Sequence, residues 1–140
     1  MLCDFYELTM GNGYFQCGYK DRITYFDVFF RTVPDNGGFA IAAGLEQAVR
    51  YIQQLHFDED DIAYLRGRGI FSEDFLSYLR DFRFTGDIWA VPEGTPIFPG
   101  EPILTVRAPA IEAQFIETFL LGNRETLLLN LQQATREETG

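Results

Sequence analysis

Basic residues are scarce in this chain, and histidine, cysteine and tryptophan are nearly absent. Eleven lysines and arginines stand against 21 acids, with one His, two Cys and one Trp in 140 residues. A net charge of −10 would meet a phosphate backbone with repulsion rather than counterion release, so nucleic acid is not an expected partner. His56, Cys3 and Cys17 cannot complete a conventional four-ligand zinc site, and the two thiols lack CxxC spacing. They read as reduced, structural cysteines. A Cys-His dyad would rest on His56 alone, which closes an amphipathic helical pattern beside Phe57 and reads as structural too. No apolar run approaches the roughly 18 residues of a membrane span, and the opening MLCDFYELTM carries an acid where a signal peptide carries positive charge. The expectation is a cytoplasmic chain that binds neither membrane nor nucleic acid.

What the chain has in quantity is apolar and aromatic material, with 14 Phe and 7 Tyr, enough for one domain with a real core. The segment Phe84 to Pro109, FTGDIWAVPEGTPIFPGEPILTVRAP, reads as three or four short strands separated by Pro/Gly turns. Gly94 and Gly100 supply positive φ there, and Pro92, Pro96, Pro99 and Pro102 withhold N–H groups from the ladder. The strands are expected to fold back into a barrel or half-barrel on which the helices pack. ITYFDVFFR (23 to 31) is the clearest strand, with Thr24, Phe26, Val28 and Phe30 on one face and Ile23, Tyr25, Asp27, Phe29 and Arg31 on the other. A turn at Pro34 to Gly38 and a second short strand at Phe39 to Ala43 suggest a hairpin.

Helical periodicity marks the remainder. Cys3 to Gly18 reads as a helix weakened or ended by Gly11-Asn12-Gly13, with Asp4 as its cap. Gly44 to Leu55 carries an apolar stripe of Leu45, Ala48, Val49, Ile52 and Leu55. Asp58 and Ser72 look like N-caps, flanked by the staple pairs Phe57/Ile62 and Phe71/Leu76. Ile111 to Leu121 is helical again, whereas residues 122 to 140 change character and form a divergent tail. The turn Asp35-Asn36-Gly37-Gly38 precedes a strand rather than a helix, so it is a poor phosphate cradle.

The spacing of the Pro/Gly-rich strand unit resembles the half-barrel repeat of biotinyl and lipoyl carrier domains. Those domains display a lysine at a hairpin tip, and the sole lysine here, Lys20, lies outside the unit; a carrier function is excluded by chemistry.

A second resemblance is far more specific. DFYELTM (4 to 10), YFDVFFRTVP (25 to 34), GGFAIAAGLEQAV (37 to 49), the long segment from Phe75 to Pro109 and the following IETFLL together resemble the N-terminal domain of nicotinate phosphoribosyltransferases, over roughly residues 3 to 121. The resemblance implies an α+β fold, the N-terminal α/β sandwich of type II phosphoribosyltransferases with a hammerhead-like strand unit against helices, ahead of an incomplete barrel. It implies an ATP-coupled enzyme that joins nicotinate to phosphoribosyl pyrophosphate in NAD salvage, working with magnesium, as a dimer with shared active sites. The family's D-x-Y-x-x-T-M falls on Asp4, Tyr6, Thr9 and Met10, and its tyrosine approaches the nicotinate ring. The family's F-F-R falls on Phe29, Phe30 and Arg31, its arginine a phosphate contact; an ion pair with Asp27 is the structural alternative for Arg31. Asp4, Tyr6 and Arg31 are therefore the expected substrate-binding residues. The family's catalytic histidine lies in the barrel and is not matched by His56, so catalysis by this chain alone is not expected, nor is a cofactor bound by it. Partners implied are a homodimer mate or a barrel domain. The alternative reading is a non-enzymatic interaction domain that binds a full-length subunit.

Overall fold

A computed structural model describes residues 5–33 and 38–122. Among them the chain runs α1 (Phe5–Gln16), β1 (Ile23–Val28), β2 (Ala40–Ile41), α2 (Leu45–Gln54), α3 (Glu59–Gly67), α4 (Glu73–Arg80), β3 (Asp87–Ala90), β4 (Pro96–Ile97), β5 (Leu104–Pro109) and α5 (Ala110–Gly122). The mixture is α+β.

The short helices form where their ends are capped. Asp58 accepts from the Asp61 backbone N–H at 2.8 Å while the Asp61 carboxylate accepts from the Asp58 N–H at 3.1 Å, a reciprocal box that opens α3. Ser72 Oγ accepts from the Phe75 N–H at 3.2 Å and opens α4. Both staple pairs turn inward: Phe57, Ile62 and Leu76 are buried and Phe71 is half-buried.

The strands depart from the expected order. Instead of closing a hairpin, β1 pairs antiparallel with β5, nearly eighty residues later, and β5 pairs with β3, giving a three-stranded sheet in the order β1-β5-β3. The two-residue strands β2 and β4 pair separately. The Pro/Gly-rich unit is thus shared between two sheets rather than closing on itself. Gly94 and Gly100 do adopt positive φ, 84° and 80°, as the turns require. Regular pairing in β1 ends at Val28, but the alternation of exposure continues through Arg31.

Period-two alternation divides the larger sheet. Phe26, Val106 and Ile88 stand side by side on the inner face, as do Val28, Leu104 and Ala90. Against this face lies α5, whose Ile111, Phe115, Ile116 and Leu120 are fully buried. On its other side α5 receives α1, which runs unbroken through Gly11-Asn12-Gly13. The expected break does not occur because Gly11 is where the two helices touch: a Cβ there would stand 2.9 Å from Phe115 Cε1. Edge-on contacts of Phe57 with Phe82 and Phe115, at ring separations of 5.8 and 5.6 Å, tie α3 and α4 to the same core.

Candidate functional site

Helix α1 is held on its inner side and free on its outer side. Leu8 and Glu7 are buried, Phe5 meets Phe71 edge-on at 5.9 Å, Phe15 meets Phe75 at 5.5 Å, and Gln16 Nε2 donates to Ser72 Oγ at 2.9 Å. From this anchored helix the Tyr6 ring projects outward, 65% exposed. Its backbone carbonyl accepts from Thr9 Oγ1 at 2.7 Å, which fixes the turn that carries it. A large, rigid aromatic presented in this way has a face to offer a flat ring. Asp4, the third expected substrate contact, lies outside the described residues.

Arg31 follows the end of β1 and is exposed. The ion pair with Asp27 does not form; Asp27 Oδ1 accepts instead from Thr105 Oγ1 at 2.6 Å. Among the described residues the Arg31 guanidinium has no hydrogen-bond or ion-pair partner, so its forked donors are free for an anion. Tyr6 and Arg31 sit on separate elements, and no contact between described residues joins them.

Two polar arrangements were not legible in the sequence. On the outer face of the larger sheet, Arg107 donates from Nε to the Tyr25 hydroxyl at 3.1 Å and from Nη1 to Asp87 at 3.0 Å, bridging all three strands. These two hydrogen bonds hold the guanidinium pKa above its usual range. Around them stand exposed Ile23, Phe29 and Trp89. On the opposite side of the domain, a cleft of about 460 Å³ is lined by Phe15, Lys20, Tyr78, Arg83 and Glu112 among others. There Glu112 is only 6% exposed, and its two oxygens accept from the Thr85 N–H at 2.6 Å and the Thr85 hydroxyl at 2.9 Å. Burial pushes the Tyr78 phenol up to about 12, with the charges of Glu112 and Asp21 adding to the effect. The Lys20 ammonium lies over the Phe15 and Tyr78 rings at 5.8 and 6.0 Å. Alternating apolar positions show which face of a helix turns inward, but not that one acid on that face will be sealed against a threonine 27 residues away. No group of three His, Cys, Asp or Glu side chains among the described residues is placed to hold a metal ion. His56 is exposed, its Nδ1 2.6 Å from the Gln54 carbonyl oxygen.

Among the described residues, then, an exposed aromatic on an anchored helix and an exposed arginine at the end of a strand stand on an α+β sandwich domain. The fold is shared with human nicotinic acid phosphoribosyltransferase, at TM-score 0.80 and 34% identity over 91% of this chain and 25% of that one. Nicotinate-nucleotide pyrophosphorylase from Pyrococcus furiosus is similar in fold alone, at TM-score 0.59 and 19% identity over 86% of this chain. In sequence, the chain is 46% identical over 125 residues to nicotinate phosphoribosyltransferase pncB2 of Mycobacterium tuberculosis, covering 87% of this chain and 26% of that protein. It is 40% identical over 127 residues to the nicotinate phosphoribosyltransferase of Bacillus subtilis, covering 89% and 26%. Residues 1–123 match the nicotinate phosphoribosyltransferase N-terminal domain family, and the chain belongs to that family. It spans about a quarter of the length of the curated relatives it matches.

Proposed function

We propose that this chain supplies the N-terminal part of a nicotinate phosphoribosyltransferase, contributing binding groups to a composite site whose reactive groups belong to another part of the enzyme. In that reading the complete enzyme joins nicotinate and phosphoribosyl pyrophosphate, coupled to ATP hydrolysis with magnesium, to give nicotinate mononucleotide. It works in the cytoplasm as a dimer or as an association of this domain with a barrel. The observation that carries the reading is the outward projection of Tyr6 from a helix otherwise pinned to the core. Tyr6 stacks on the electron-poor pyridine ring, Arg31 holds a phosphate oxygen with its forked donors, and Asp4 is the third substrate-binding residue of this reading. No step involving ATP or magnesium is assigned to this chain.

The test is reconstitution. The chain is mixed with the purified remainder of the Bacillus subtilis relative, and nicotinate mononucleotide is assayed with ATP present. Activity should depend on both components. Replacing Tyr6 with alanine removes a stack worth about 0.5–1.5 kcal/mol and should raise KM for nicotinate roughly 2- to 12-fold. An unchanged KM in the Tyr6→Ala mixture would remove that residue from the site.

A further inference from the structure

Among the described residues β1 is an edge strand: β5 is its one partner there, and the sheet order β1-β5-β3 ends with it. The Ala110 N–H donates to the Arg22 carbonyl at 2.8 Å and the Ile103 N–H to the Val28 carbonyl at 2.9 Å. Even-numbered residues of β1 therefore face β5, and antiparallel alternation turns the N–H and C=O groups of Ile23, Tyr25 and Asp27 to the open edge. Proteins usually blunt such an edge with proline, lysine, a bulge or a very short strand. This one has six residues, ITYFDV, with no proline or lysine in it and Asp27 as its one charge. The opposite edge, β3, is only four residues long and is followed at once by Val91-Pro92.

Beside the open edge runs a groove of about 270 Å³. Five consecutive residues of the strand line it, Thr24 to Val28, those of the inner face and those of the outer face alike. A cavity that touches both alternating sets follows the backbone edge itself rather than either face of the sheet. Its far wall is Tyr14 of α1 and one side of α5, where Ala110 and Ala113 leave room and Gln114 and Glu117 supply polar ends. The lining contains two carboxylates, Asp27 and Glu117, and no lysine or arginine. Glu117 accepts from Gln114 Nε2 at 3.0 Å.

From this we infer that the β1 edge is a strand-addition site for an extended segment of another polypeptide that carries basic side chains. Backbone hydrogen bonds to Tyr25 and Asp27 give such a segment its footing, and alternate side chains enter the groove. Charge decides the class of occupant. A second copy of this chain would bring another −10 and set its own Asp27 and Glu117 against the same pair, whereas an arginine- or lysine-bearing strand meets them with opposite sign. The inference does not depend on Tyr6, Arg31 or the nature of the reaction.

The experiment titrates the 140-residue chain with a fluorescein-labelled eight-residue peptide alternating valine and arginine, read by anisotropy, with backbone amide exchange followed by NMR. Two controls have the same length: one alternates valine and glutamate, and the other keeps the arginines but has proline in place of valine. The expected result is saturable binding of the valine/arginine peptide alone, with new protection at the amides of Tyr25 and Asp27. Glu117→Lys, remote from the strand backbone, should weaken it at least roughly fivefold. Ile23→Pro, which removes an edge donor without touching the β5 ladder, should weaken it as well. Equal binding of the proline peptide, binding without protection of those amides, or no binding of any peptide would each overturn the inference. So would protection of the same amides that rises with protein concentration in the absence of peptide, which would make a second copy the occupant.

Discussion

Glu112 sits in an environment that its sequence context does not announce. It belongs to the first turn of α5, where an acid is ordinarily exposed and favoured by the helix dipole; here it is sealed in and holds Thr85 by two hydrogen bonds. Replacing it with alanine leaves a part-buried N–H and hydroxyl without a partner, so Glu112→Ala should lower unfolding free energy by about 2–3 kcal/mol. Glu112→Gln keeps one acceptor oxygen and should lose less. Urea denaturation of the two variants against the parent chain measures both. Among residue-level features, the caps at Asp58 and Ser72 were readable because they are made within three residues of themselves. Glu112 was not, because its partner approaches through tertiary packing. The partner of Asp27 was no more readable: strand pairing brings Thr105 to its carboxylate, and no ion pair with Arg31 forms.

At the scale of elements, locality again separates what could be read from what could not. Among the helices from Leu45 to Arg80, α2 follows from its apolar stripe and α3 and α4 from their caps and staples. The hairpin was a misreading, because neighbouring strands with alternating apolar residues satisfy a pairing pattern equally well with any partner, and β1 takes the distant β5. Gly11 and Gly13 of α1 show how one Gly-Asn-Gly run can hide opposite roles. A methyl group at Gly11 meets Phe115 at 2.9–3.0 Å, and overpacking of this kind costs about 1–3 kcal/mol, more than the roughly 1 kcal/mol of helix propensity gained. At Gly13, which is exposed, nothing lies within 4 Å, so only the propensity gain remains. Gly11→Ala should therefore lower the melting temperature and Gly13→Ala raise it. Two shifts of the same sign in thermal melts would contradict the packing of α1 on α5. Because Tyr6 rides on α1, the geometry of the proposed substrate contact depends on that seat.

For the molecule as a whole, alkaline stability should report the cleft around Tyr78. Its phenol ionises near 10 in an unfolded chain and at about 12 in the folded one. The folded state therefore favours the neutral form, and this contribution is fully present below pH 10 and lost as pH rises from about 10 to 12. Tyr78→Phe should flatten the stability profile across that window, measured by denaturation at stepped pH. Of the overall plan, the α+β class and the family resemblance were evident from five motifs in series. The division of strands between two sheets was not, because it is decided by contacts between segments far apart in the chain. That same arrangement has a temporal consequence. The middle strand of the larger sheet and the helix that fills its inner face are the last two described elements, joined without a loop at Pro109 and Ala110. A nascent chain must therefore hold both β1 and β3 without their common partner β5 until residues 104 to 122 leave the ribosome, so the domain locks in a single late step.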